Sequence, residues 1–138
     1  MSEEQTIQGI VPINQKHVIL LLESGYLYME LGKNNEAEEV FQGVSFLIPH
    51  SEVPHMALGH LYFSLGRFNP ALKAQKKAAD LNPSSASAFA AIGETLFFLR
   101  KPDEALENLG KAIDLEPESP AADMARALRE AHGVGVFG

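Results

Sequence analysis

Several chemistries are missing from this sequence. It has no cysteine, which excludes disulfides and thiol chemistry and agrees with an expected cytoplasmic location. No stretch approaches the roughly 18 unbroken apolar residues that a membrane span requires, so no membrane role is expected. Met1-Ser2-Glu3-Glu4 is acidic and lacks the basic start of a secretory signal. Lysine and arginine are scarce, 11 against 18 acidic residues, for a formal net charge of -7. That balance disfavours nucleic acid, whose phosphates need clustered cations. No glycine-rich phosphate loop, nucleophile elbow or paired-carboxylate constellation is present, so neither catalysis nor a cofactor is expected. His50, His55 and His60 are evenly spaced, but five residues turn a helix by about 140°. They share no face, and the i, i+4 pairing of a helical metal site is absent.

What is present is a hydrophobic content of 46% in 138 residues, enough for one domain with a real core, and a repeat. Gly25, Gly59 and Gly93 stand 34 residues apart; so do Ala37, Ala71 and Ala105, and again Pro49, Pro83 and Pro117. Leu-Gly recurs at Leu31-Gly32 and Leu65-Gly66 and becomes Leu99-Arg100 in the third unit. Large residues hold fixed places: Tyr28, Tyr62 and Leu96, then Phe41, Gln75 and Leu109. The first aromatic place carries Leu21, His55 and Phe89. A period of 34 residues carrying these types resembles the tetratricopeptide repeat family. The resemblance covers about three quarters of the chain, with repeats near 18–51, 52–85 and 86–119. It implies an all-α fold: a right-handed superhelix of three helix-turn-helix repeats, closed by a C-terminal capping helix.

Elementary chemistry agrees. A mid-helix glycine costs about 1 kcal/mol relative to alanine, and three in register point to close approach by a neighbouring helix. The alanines serve the same contact from the second helix of each pair. Helices are predicted over 15–31, 36–47, 52–65, 70–81, 86–99, 103–115 and 120–132, each second helix stopping ahead of its proline. Asn35 with Glu38 has capping-box spacing, Asn69-Pro70 is a favoured helix start, and Asp103-Glu104 suits a helix N-terminus. On the last helix Ala121, Met124, Ala125, Leu128 and Ala131 form an apolar strip that would cover the third repeat. Residues 1–132 are thus read as one domain and 133–138 as a flexible tail, with Val134, Val136 and Phe137 able to dock. Ile7, Ile10, Val11 and Ile13, broken by Gly9 and Pro12, suit either a flap over the first repeat or a homodimer contact.

In the family, the second, fifth, ninth, twelfth and thirteenth positions of each repeat line the inner surface. Carried onto this chain, they are Ile19, Leu22, Tyr26, Met29 and Glu30; Val53, Met56, His60, Phe63 and Ser64; and Ser87, Ala90, Glu94, Phe97 and Phe98. The candidate peptide-binding groove is Leu22, Tyr26, Met29, Met56, His60, Phe63, Ala90, Glu94, Phe97 and Phe98. Helix-spaced apolar residues often merely pack as core; apolar character across all three repeats favours a groove. One branch of the family grips C-terminal carboxylates through Lys and Asn at the fifth and ninth positions and Lys or Arg at the second and sixth. This chain has none of these there; its sixth positions are Glu23, Ala57 and Ala91. The expected partner is therefore a protein or peptide with apolar anchors, with Glu30 or Glu94 available to a basic group. Phe63→Ala or Phe97→Ala is expected to cause strong loss of binding with the fold intact. Small size, acidity and a greasy groove also resemble the tetratricopeptide chaperones of bacterial type III secretion, notably at Ala37-Glu38-Glu39-Val40-Phe41-Gln42-Gly43-Val44. That resemblance implies a cytoplasmic chaperone for one secreted client. The alternative is a scaffold working through its outer helices, where Lys73, Lys76 and Lys77 form a basic strip.

Overall fold

The computed structural model describes residues 4–7 and 11–138, with side chains from Asn14 onward. Seven helices follow one another: α1 (Gln15–Glu30), α2 (Asn34–Leu47), α3 (Val53–Ser64), α4 (Phe68–Leu81), α5 (Ala86–Phe98), α6 (Pro102–Leu115) and α7 (Pro120–Gly133). They pair as α1/α2, α3/α4 and α5/α6, and α7 packs on the last pair, as the repeat implied. Ahead of them β1 (Glu4–Ile7) and β2 (Val11–Asn14) form an antiparallel ribbon with Glu4 opposite Asn14. Pro12 is tolerated because a two-stranded ribbon consists only of edges. The side chains of Ile7, Val11 and Ile13, and all of Gly9 and Ile10, lie outside the described residues. The flap and homodimer expectations rest on them. β2 runs directly into α1, whose first turn is capped by Asn14 Oδ1 accepting from the Lys16 amide at 2.8 Å.

The turns inside each pair share one construction. Gly32 and Gly66 adopt φ of 74° and 73°, and Arg100 takes the same left-handed place with φ 60°. The next residue's amide reaches back to close the helix: Lys33 to Tyr28 O at 2.8 Å, Arg67 to Tyr62 O at 2.9 Å, Lys101 to Leu96 O at 2.9 Å. This is a Schellman closure. The carbonyls of the same three residues accept from Ala37, Ala71 and Ala105, each at 3.0 Å, and so open the following helix. One residue both closes a helix and starts the next. This corrects two cap expectations: α2 begins at Asn34 behind Lys33, and α4 at Phe68 behind Arg67, with no side-chain cap on either. Asn35 and Asn69 are already inside their helices, because the closure leaves no residue spare for a cap. Asp103 and Glu104 do sit in the first turn of α6. Between pairs, Ser85 and Ser119 cap α5 and α7 by accepting from Ala88 and Ala122, both at 3.1 Å.

The repeated glycines mark where helices touch. A methyl on Gly25 would collide with the Phe41 ring, one on Gly59 would meet Gln75 Cγ at 2.8 Å, and one on Gly93 would collide with Leu109. The partner pressing on each glycine is thus the large residue one turn beyond the alanine, while Ala37, Ala71 and Ala105 are fully buried beside it. Gln75 stands where the other repeats place Phe41 and Leu109. Its buried amide oxygen accepts from Thr95 Oγ1 at 2.8 Å, which ties the second repeat to the third. Helix α5 is buried nearly all round, through Ala88, Ala90, Ile92, Leu96 and Phe97, because α4, α6 and α7 surround it.

Candidate functional site: an apolar hollow with an aromatic end

The first helices of the three pairs, joined by α7, enclose a hollow of about 520 Å³. Its wall holds Tyr26, Met56, His60, Phe63, Ala90 and Glu94, six of the ten residues expected from the sequence. Tyr26 lies edge-on to Phe41 at 5.1 Å and to His60 at 6.1 Å, so the mouth beside α1 is aromatic. Burial raises the Tyr26 phenol above its ordinary range. Burial also raises the Glu94 carboxyl, while the nearby His60 pulls it the other way. No lysine or arginine lines the hollow. Its polar groups are few: His60, Glu94, Ser87, the Tyr26 hydroxyl and the Gln75 amide. A small number of polar groups set among apolar walls is the usual make-up of a ligand site.

The other four expected residues are placed elsewhere. Leu22 and Met29 are half-buried in the packing of α1 against its neighbours. Phe97 and Phe98 belong to an aromatic end that shares Phe63 with the hollow. Phe98 is 47% exposed. It stands 5.2 Å from Phe63 and 5.1 Å from Phe68, and Phe63 and Phe68 are 5.3 Å apart. Phe97 is only 4% exposed, flanked by Phe137 at 4.5 Å and His132 at 5.2 Å. Truncating a phenylalanine so deeply buried costs about 3–5 kcal/mol. Phe97→Ala would therefore damage the fold, contrary to the expectation that it tests binding alone. Of the three tail residues able to dock, Phe137 does so on this cluster, while Val134 and Val136 stay exposed.

Six lining residues were not in the expected groove: Ser87 and Ala91, which neighbour Ala90 on α5, and Gln75, Pro120, Ala121 and Met124. Gln75 packs against Gly59 and also lines the hollow. Pro120, Ala121 and Met124 sit on α7, and the sequence carried a signal for them. Counted at the same 34-residue step, Ala121 and Met124 are the second and fifth positions of a fourth unit, so α7 takes the place of another repeat's first helix.

The outer surface carries a second, more open hollow of about 990 Å³ over α3 and α4, lined by Lys73, Lys76 and Lys77 with His55, Tyr62 and Leu72 among others. Partial burial and then Lys77 hold the His55 imidazole below its ordinary value. Burial and a hydrogen bond with Glu38 push the Tyr62 phenol up to about 12. Among the described residues no cluster of His, Asp and Glu is arranged to hold a metal ion, and no helix is long and apolar enough to cross a membrane.

Solved structures share this architecture. The first tetratricopeptide domain of Spaghetti (RPAP3), bound to the HSP90 peptide SRMEEVD, matches at 27% identity with a TM-score of 0.72, over 84% of this chain and 93% of that one. PcrH in complex with the chaperone binding region of PopD matches at 23% identity and TM-score 0.75, over 86% and 92%. The Yersinia enterocolitica type III secretion translocator chaperone SycD matches at 20% identity and TM-score 0.74, over 83% and 92%. The last two similarities are of fold alone. Comparison with curated proteins finds no match. The tetratricopeptide repeat model matches residues 20–44, 54–85 and 86–119. With three repeats in register over most of its length, the chain belongs to the tetratricopeptide repeat family, and it is a protein-binding module.

Proposed function

We propose that the concave hollow holds an apolar segment of a client protein, and that the chain is a small cytoplasmic chaperone of the kind that serves secretion. The observation that carries the reading is the wall itself. Tyr26, Met56, Phe63, Ala90 and Met124 come from four different helices onto one cavity. Methionine and aromatic side chains adapt to varied apolar anchors. Glu94 is the acid at the floor and would meet a basic residue flanking those anchors. RPAP3 takes an acidic peptide ending in a carboxylate; the present wall, without a lysine or arginine, suits the opposite charge. PcrH holds a chaperone-binding region of PopD, and this chain would likewise hold one segment of one client.

The test is a panel of fluorescent peptides, apolar ones flanked by lysine or by glutamate, titrated against the chain and against Met56→Ala and Phe63→Ala. Apolar peptides with lysine should bind best, and each variant should weaken them at least about tenfold with helix content unchanged by circular dichroism. If no apolar peptide docks, or if the glutamate-flanked set binds best, the reading fails.

A second reading, a scaffold using the outer face, is favoured by one observation: the lysine-lined hollow is the larger of the two. Under it, an acidic partner would be lost on reversing Lys73, Lys76 and Lys77 to glutamate while Met56→Ala had no effect.

A further inference from the structure

The C-terminus is aimed, not merely attached. Helix α7 ends in the same closure that ends the inner helices: Gly135 takes φ 87°, its amide donates to His132 O at 3.0 Å, and the Val136 amide donates to Ala131 O at 2.9 Å. The reversal carries Phe137 back over the aromatic end. Its ring lies parallel to Phe97, 4.5 Å away with 3° between planes, and edge-on to Phe98 at 5.9 Å. It becomes the fifth phenylalanine of a cluster whose other end, Phe63, borders the client hollow.

Little else holds the tail. Val134 and Val136 are 75% and 66% exposed. A pocket of about 340 Å³ stays open beside the ring, between Phe97, Phe98 and Arg100 on one side and residues 136–138 on the other. Nδ1 of His132, whose ring stacks on Phe97, is buried without a hydrogen-bond partner, so the closed arrangement leaves a polar atom unsatisfied. A single stacked ring on a short glycine-flanked turn is a reversible contact, and what it covers is a ready-made seat for an aromatic side chain.

We propose that this end of the concave face is an anchor site for a phenylalanine-like side chain of the client, and that Phe137 occupies it in cis until the client's ring displaces it. The proposal rests on the concave face being the client surface. Phe137 itself shows the chemistry of the occupant: an aromatic ring on an uncharged stretch of glycine and valine. The tail then acts as a competitor. If it is docked about nine-tenths of the time, the apparent affinity for an aromatic anchor falls about tenfold. A free, greasy end is covered, and only a client that supplies its own ring opens it.

The probe is the hexapeptide Gly-Val-Gly-Val-Phe-Gly, which repeats residues 133–138, together with a version carrying alanine in place of its phenylalanine. Both are titrated into the isotope-labelled full-length chain and followed by amide chemical shifts. Phe137→Ala should bind the phenylalanine peptide at least about tenfold more tightly than the unaltered chain, with shifts confined to the neighbourhood of Phe63, Phe68, Phe98 and His132. Gly135→Val keeps the Phe137 ring but strains the turn that aims it, so it should move affinity in the same direction. The alanine peptide should not bind. Equal affinity for the altered and unaltered chains, no binding to Phe137→Ala, or equal binding of the alanine peptide would overturn the proposal. Failure of the client reading itself would look different: longer apolar peptides would leave Met56, His60 and Met124 unshifted whatever happens at the aromatic end.

Discussion

Arg100 offers the sharpest test of how the repeat turns are built. It sits at φ 60°, where the other two pairs place Gly32 and Gly66. A side chain in that left-handed region costs about 1–2 kcal/mol through its Cβ. Replacing Arg100 with glycine removes that cost but returns about 0.4–1 kcal/mol of freedom to the unfolded chain. The Arg100 side chain is exposed and makes no ion pair or hydrogen bond among the described residues, so its loss subtracts little. The net expectation for Arg100→Gly is a gain of about 0.5–1 kcal/mol, or a melting temperature higher by about 2–4 °C for a chain of this size. Gly66→Ala should move the other way by about 1 kcal/mol, since its amide and its neighbour's carbonyl need the same turn. Urea titrations followed by circular dichroism at 222 nm would read both as midpoint shifts at constant slope. If Arg100→Gly fails to raise the midpoint while Gly66→Ala lowers it, the left-handed place is not what limits the third repeat. If neither moves, the account of the turns is wrong.

Two further outcomes follow from the same geometry. Gly93→Ala drives a methyl into buried Leu109, with Ala105 O at 3.1 Å behind it, and should destabilise by about 1–2 kcal/mol after the gain in helix propensity. Gly59→Ala meets Gln75 Cγ at 2.8 Å, a side chain held at its far end by Thr95, but the backbone behind it is farther off, with Ala71 O at 3.6 Å, so it should destabilise by less than Gly93→Ala; thermal melts giving the reverse order would contradict this packing. For Glu94, burial raises the folded carboxyl above its ordinary range. Its neutral form therefore favours the fold at low pH, and that contribution is lost as pH climbs through the raised value. The stability difference between Glu94→Gln and the unaltered chain should accordingly shift toward the variant as pH rises above the ordinary carboxylate range. A constant difference in urea midpoint, or a shift the other way, would refute it.

Much of this molecule was readable before any coordinates. Gly25, Gly59 and Gly93 could be matched to interhelical contacts because each breaks helix propensity at one phase of a 34-residue step. Pro49, Pro83 and Pro117 bounded the second helices because proline excludes its predecessor from helical conformation. The lining at Tyr26, Met56, His60, Phe63, Ala90 and Glu94 was expected once the family resemblance was set in the register of the repeats. Side-chain caps were misjudged at Asn35 and Asn69, since local propensity does not reveal that a Schellman closure has already used the preceding residue to start the helix.

Sequence by itself determined the repeat, the helix spans and the face each helix turns inward, because these depend on near-neighbour spacing that every repeat restates. Only the tertiary structure decided where the face ends: that Leu22 and Met29 are consumed by packing, that α7 adds Ala121 and Met124 to the wall, that Gln75 bonds Thr95 across repeats, and that Phe137 closes the aromatic end. The reason is physical. Each of those outcomes is set by which surfaces remain uncovered once elements distant along the chain have met, and no local pattern encodes that.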